Sequence, residues 1–248
     1  MRRFLFLLLV AAMAAAFSGG NDTRYFYLHV NLFRSDPQRY AREFRQEIAC
    51  GAVPTRVLFP ASCLEEAAAY QADSVARASC PISHETCPQD CGRFGGCGYT
   101  ERLRSFCPNA TAAVEVLSQG PRRVRRILDL FFRSPGHCAH LSRPSADSIG
   151  ADLTRVDRNV FVADLAFLNR TDLPPFITAW CDPEERWCAA STTLTNESAL
   201  VVWSDDGQKK RAAAWFAPGF FRAENISGKA TNVWFTAGSK TSPRYAIR

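Results

Sequence analysis

Past its first twenty residues the sequence lacks any apolar run approaching the ~20 residues that a membrane-crossing helix needs. The mature chain is therefore predicted to be soluble, with no transmembrane segment. It also lacks a strong charge imbalance. The formal net charge is +6, and removing Arg2 and Arg3 with a leader leaves 28 basic against 24 acidic residues. That balance is too mild to make nucleic acid a partner. There is no internal repeat and no low-complexity tract, which excludes repeat arrays. No serine or cysteine nucleophile motif stands out, which weighs against covalent hydrolysis.

What is present points outward from the cell. Residues 1–18 read as a secretory signal peptide. Arg2 and Arg3 supply the positive start, Phe4 to Val10 the apolar stretch, and Ala14 to Ser18 a small-residue cleavage region. Five N-glycosylation sequons begin at Asn21, Asn109, Asn169, Asn196 and Asn225. Ten cysteines, an even number, fit an oxidising compartment. Cys87, Cys91, Cys97 and Cys107 lie near His84, but their spacing matches no zinc finger or ribbon, which favours disulfides. One pair is proposed, Cys181 with Cys188, closing a short loop.

Taken in order, Tyr25 to Arg34 predicts a helix. A second starts with Asp36 as N-cap and Pro37 at the first helical position. Its Tyr40, Phe44 and Ile48, four apart, predict one buried stripe ended by Cys50 and Gly51. A third helix is expected from Pro60 to Ser79, opened by a Ser62–Glu65 capping box. Its alanines permit close approach to a neighbour. Cys80 to Cys107 reads as a long loop held by covalent links. Ala112 to Leu117 is apolar apart from Glu115, which is either a buried acid needing a partner or the wet side of a surface helix.

Pro121 to Arg133 is an amphipathic helix. Val124, Ile127, Leu128 and Phe131 form its apolar face, and Arg122, Arg123, Arg125 and Arg126 point mostly away. That basic face is a solvated surface or a contact for a polyanion or anionic lipid. Pro135 and Gly136 stop the helix and leave His137 at the mouth of whatever it packs on. Ile149 to Leu153 and Val160 to Phe167 predict a hairpin around Asp157-Arg158-Asn159.

Residues 169–175 read as a polar, proline-containing linker. Beyond them Phe176–Trp180, Ala199–Trp203, Arg211–Phe216, Asn232–Ala237 and Arg244–Arg248 predict short strands of a small all-β sandwich over 176–248. Its tryptophans pack in the core or, where exposed, stack on sugars.

These pieces occur in an order that resembles the CAP superfamily (the SCP/PR-1 or allergen V5 domain), in its shorter, bacterial-type branch, over about residues 25–168 of a domain expected to span 19–168. The likeness rests on Asn31-Leu-Phe-Arg34 before Asp36-Pro37, on Ile82-Ser83-His84 after the alanine-rich helix, and on Gly98-Tyr99. It continues through Val114-Glu115-Val116-Leu117-Ser118-Gln119-Gly120 and through Ser134-Pro135-Gly136-His137 before Ile149-Gly150-Ala151-Asp152-Leu153. The resemblance implies an α/β fold, a three-layer α-β-α sandwich with a central cleft, followed by a small Ig-like β-sandwich module. It implies that His84, His137 and Glu115 line that cleft. No match is found for the family's second acid: Asp129 stands at the wrong offset. His140 stands where near relatives carry asparagine.

Two imidazoles and a carboxylate suffice for a zinc-like divalent metal with an open position, and equally for a hydrogen-bonded polar cluster. His140 could join His137 as a chelating pair if the segment is helical, whereas His29 reads as a packed core histidine. The function expected is a secreted, non-enzymatic glycoprotein with a metal-binding cleft and a surface for a lipid, glycan or protein ligand. The rival is a metal-assisted hydrolase of peptide, ester or glycan, with Glu115 as ligand or base. A purely structural wall or coat protein is the third reading.

Overall fold

The computed structural model describes residues 21–77, 80–182, 184–194 and 200–247. The expected leader and the Asn196 sequon lie outside these. Helix α1, Asn21–Ser35, buries eleven of its fifteen residues. A helix buried on most of its circumference must have layers on both sides. Helix α2, Pro37–Glu43, opens as expected, with the Asp36 carboxylate accepting the Arg39 N–H at 2.9 Å. It stops short of the predicted stripe: Phe44 is its C-cap, and Arg45 takes a φ of 50°. Ile48 therefore lies in irregular chain. That stretch is pulled elsewhere, by Ala49 N–H on the Phe132 carbonyl and by the Cys50–Cys138 disulfide.

Strand β1, Phe59–Pro60, pairs in parallel with residues 148–149. Helix α3, Ser62–Ala76, consequently starts after Pro60, and the expected capping box is absent. Its N-cap is Ala61, whose N–H is committed to the Ile149 carbonyl, and Glu65 accepts instead from the Tyr27 hydroxyl at 2.9 Å. The expected Cys80–Cys107 loop contains a 3-10 turn (Pro88–Asp90), α4 (Cys91–Phe94) and α5 (Tyr99–Phe106). Disulfides Cys80–Cys87, Cys91–Cys97 and Cys63–Cys107 hold it.

Strand β2, Thr111–Gln119, carries Glu115, so the surface-helix alternative is wrong. Helix α6, Val124–Arg133, buries Val124, Ile127, Leu128 and Phe131 as expected. Pro135 does not leave His137 on a loop. Ser134 ends α6 and caps α7, Pro135–Leu141, with proline at the first position, where its missing N–H costs nothing. Strands β3, Ser148–Arg155, and β4, Asn159–Phe167, form the expected hairpin.

The sheet order is β1-β3-β4-β2. Alternation along β4 sends Phe161, Ala163 and Leu165 to the α1 and α6 side, and Val160, Val162 and Ala166 to the α3 side. The result is a three-layer α-β-α sandwich. Gly150 on β3 is where α3 lies closest: an added Cβ would sit 2.1 Å from the Leu64 carbonyl carbon.

The C-terminal strands are β5 (Phe176–Asp182), β6 (Trp187–Thr192), β7 (Val201–Ser204), β8 (Lys209–Arg211), β9 (Ala213–Ala214), β10 (Phe220–Ala223), β11 (Asn232–Ala237), β12 (Lys240–Thr241) and β13 (Tyr245–Ala246). They form sheets β5-β6-β10-β9 and β12-β11-β7-β8, with β13 on β11. The stretch read as one strand over 211–216 is divided between the two sheets at Ala212. Strand β6 escaped prediction because, buried throughout, its Trp-Cys-Ala-Ala-Ser-Thr has no polar alternation. One face of the β5-β6 sheet packs on the other sheet around Phe176, Ala190, Val233 and Phe235. Its other face carries Trp180, Trp187 and Phe220 into the cluster around α1. Cys181 and Cys188 are disulfide-bonded across β5 and β6. Among the described residues no helix is long and apolar enough to cross a membrane.

Two outcomes follow from this packing. Gly150→Ala should destabilise by ~3 kcal/mol or more in urea denaturation, because backbone rather than a flexible side chain must move. Gly136→Ala, with open space around it, should be neutral. Second, burial depresses the His29 pKa to about 3. The unfolded chain then binds the extra proton between pH 6.5 and 3, so stability falls as pH drops through that window. By pH 5 the loss is roughly 2 kcal/mol, and denaturation of His29→Gln at pH 7 and pH 5 should lack it.

Candidate functional site around an edge strand

Strand β2 is the outer strand of its sheet, and its alternation puts Val114 and Val116 in the α1-side core. Glu115 faces the other way, with its side chain 1% exposed. Three groups from different elements surround it. The Arg102 guanidinium on α5, fully buried, donates through Nη2 to Glu115 Oε2. The His84 ring, half exposed, meets Glu115 Oε1 through Nδ1 at 2.8 Å. Asp164 stands directly opposite on β4.

The loop carrying His84 is pinned from below. Gln71 on α3 donates to the carbonyls of Ser83 and Glu85 at 2.8 and 3.0 Å. Arg102 Nη1 reaches the His84 carbonyl and Thr86 Oγ1 at 3.2 and 3.3 Å. Arg102 thus holds both the backbone of the histidine and the carboxylate that its ring contacts. An ionised carboxylate only accepts, so His84 Nδ1 is the donor and, in the neutral ring, Nε2 carries the free lone pair. The hydrogen bond to Glu115 raises the His84 pKa, against the opposing effect of burial.

Asp164 is wholly buried, and among the described residues no donor reaches either of its oxygens. Burial first, then the Glu115 charge, drive its pKa well above the carboxylate range. Glu115 and Asp164 are two acids in one dry site, and the Arg102 charge beside Glu115 leaves Asp164 as the protonated member. This second acid and Arg102 were missed in the sequence. The one signal for Asp164 was a single acid inside the apolar run 160–167. Arg102 lay in a segment read as loop.

His137 approaches from α7, which packs on β2. Its Nδ1 lies 2.9 Å from Ser134 Oγ, and its ring rests on Phe131 with centroids 4.9 Å apart. The ring is half-buried. Its pKa is lowered by burial first, then by the charges of His84 and His140. His140, on the same helix, is exposed and likewise lowered by burial, Arg143 and His84. His29 is elsewhere, buried against Tyr40 with Nδ1 2.9 Å from its hydroxyl.

Among the described residues no three histidine, cysteine, aspartate or glutamate side chains converge as a metal-holding group, and all ten cysteines are in disulfides. Both Glu115 oxygens are occupied by Arg102 and His84. The expected trio of His84, Glu115 and His137 does not stand together as a ready ligand set. The sequon asparagines Asn109, Asn169 and Asn225 are exposed, and Asn21 is half-buried.

Glu115→Gln should leave the buried Arg102 cation without its counter-charge and cost ~3–5 kcal/mol at pH 7. Asp164→Asn replaces a group that is already neutral. In the unfolded wild type Asp164 ionises above about pH 3.9, while the folded form keeps its proton, so this residue lowers stability as pH rises. The Asn variant should therefore gain on wild type between pH 4 and pH 7 in parallel urea titrations.

No protein-family model matches the sequence, and a search of curated proteins finds none that matches. Among solved structures, an outer surface protein from Borrelia burgdorferi is similar over 61% of this chain and 96% of that one, at 17% identity and a TM-score of 0.44. An extracellular protein containing an SCP domain from Bacillus anthracis is similar over 45% of this chain and 34% of that one, at 13% identity and a TM-score of 0.39.

Proposed function

We propose that the chain is an exported, disulfide-braced protein of the CAP type that acts by binding rather than by turnover. In this reading His84 and His137 hold a divalent, zinc-like metal ion in an open and exchangeable site. The observation that carries it is the 2.8 Å contact from Glu115 to His84 Nδ1. A carboxylate on one ring nitrogen fixes the tautomer and turns the other nitrogen outward as a ligand, an arrangement common behind metal-bound histidines. Glu115 is then a positioning residue, not a ligand. Two imidazoles fall short of the four protein ligands of a structural zinc site, so the ion would complete its shell with water or a partner's groups. Export, glycosylation at the exposed sequons, and a lipid, glycan or protein partner belong to the same proposal.

The hydrolase alternative needs a carboxylate free to act as base. Glu115 is tied to both Arg102 and His84, and Asp164 is sealed from solvent, which favours the binding reading.

Calorimetric titration of the full chain with zinc checks this. Binding should be lost in the His84→Ala plus His137→Ala double variant, and should weaken ~10–100-fold in Glu115→Gln. It should also weaken as pH falls through the raised pKa of His84, since the proton competes for the ring. Undiminished zinc uptake by the double variant would end the metal reading.

A further inference from the structure

A second set of features, sharing no residue with the His84 cluster, lies where α1 and α6 meet the β5-β6 sheet. Two adjoining hollows open there, an inner one of about 190 Å3 and an outer one of about 350 Å3. Tyr25, Arg125, Trp180 and Asp182 line both. We propose that they form one binding site for an acidic oligosaccharide.

The inner hollow has an aromatic wall. Tyr25 meets Trp180 edge-on at 4.8 Å, and Trp180 meets Trp187 at 5.2 Å. Trp187 is fixed in place: its indole N–H donates to Glu185 at 2.9 Å, and the Arg222 guanidinium lies 4.2 Å from its ring centroid. Trp180 and Trp187, 9% and 6% exposed, back the hollow, and Tyr25, half-buried, is the ring left to meet the C–H face of a sugar. The wall is interrupted by Gln46, Asp182, Glu185 and Arg222. An acyl chain needs an unbroken apolar lining, whereas a sugar offers hydroxyls that donate and accept beside its apolar face. The size of the two hollows together suits a ligand of a few rings.

The outer hollow supplies the charge. Arg122, Arg123 and Arg125, all exposed, have no carboxylate partner among the described residues, whereas Arg155 is paired with Asp22 at 2.7 Å. Arg125 lines both hollows and so carries the charge from the outer one into the inner one. Arginine forks suit carboxylate and sulfate groups. The carboxylates of Asp22 and Asp182 in the same lining disfavour a bare polyanion, which has no use for them. A sugar chain whose rings carry carboxylate or sulfate groups matches both halves, its C–H faces suiting the aromatic side and its anions the arginines.

The test is calorimetry on the full disulfide-bonded chain, with N-glycans removed because Asn21 borders the outer hollow. The probe is a heparan-type tetrasaccharide of alternating uronate and sulfated glucosamine, titrated near physiological salt. Chitotetraose serves as the neutral control and polyphosphate of matched charge as the bare polyanion. The acidic tetrasaccharide should bind, and chitotetraose should bind at least tenfold more weakly. Arg122→Ala, Arg123→Ala and Arg125→Ala combined should lose at least tenfold with unchanged melting temperature. Tyr25→Ala should lose about tenfold even at low salt, where charge contacts persist. Loss of His84 and His137 should change nothing, which separates this site from the metal reading. The proposal is overturned if the triple variant binds as wild type does, or if polyphosphate binds as tightly and Tyr25→Ala is silent. Displacement of the tetrasaccharide by oleate would assign the hollows to a lipid instead.

Discussion

The structure depends on burying most of α1 while giving its buried polar side chains partners. One flank of the helix lies on the central sheet, and another takes Trp180 and Trp187 from the C-terminal sheet. That position is tenable only because each buried polar side chain is met. Asn31 both donates to and accepts from the Leu58 backbone, at 2.9 and 2.7 Å. Arg34, fully buried, donates to the carbonyls of Arg56, Leu141, Arg143 and Ala146. Tyr27 bridges Glu65 and the Ala151 N–H. An unpaired buried guanidinium would cost several kcal/mol. Arg34 instead gathers irregular chain, from Arg56 and from the end of α7, onto the core.

The same physics operates at the edge strand with charges instead of amides. A carboxylate and a guanidinium, each removed from water, lose solvation that their mutual attraction only partly offsets. Such a pair is weak evidence for added stability and good evidence for a fixed geometry. At β2 the geometry fixed is that of His84, whose ring and backbone are both held by groups that Arg102 touches. Asp164, kept protonated at their side, adds an acid without adding a second negative charge.

Much of the fold was legible because periodicity records burial. The α6 stripe and the β3–β4 hairpin follow from spacing alone, and the Asp36-Pro37 start follows from capping. Boundaries failed where tertiary contacts won: Ala61 is committed to β1's pairing, and Phe44 ends a helix whose stripe continued on paper. The pair His84 and Glu115 could be marked because each stands out locally, a histidine in a loop and an acid in an apolar run. Arg102 could not, since one arginine among many on a short helix becomes distinctive only through the carboxylate it reaches. The Pro135-Gly136 pair misled for a related reason. Proline is equally suited to follow one helix and to begin the next, and only the fold chooses.

The disulfides follow a similar division of labour. Cys50–Cys138 closes 88 residues and, on the chain-entropy account, restrains the unfolded state by ~4–5 kcal/mol; a link closing seven residues does about half as much. The short link Cys80–Cys87 therefore matters less for global stability than for local shape. Its loop contains Ser83, His84 and Glu85, the residues that Gln71 and Arg102 grip from inside. A closed loop with few conformations needs few hydrogen bonds to settle in one, and the grip supplies them. Covalent closure and buried polar contacts together hold His84 in a segment that has no helix or strand of its own to position it.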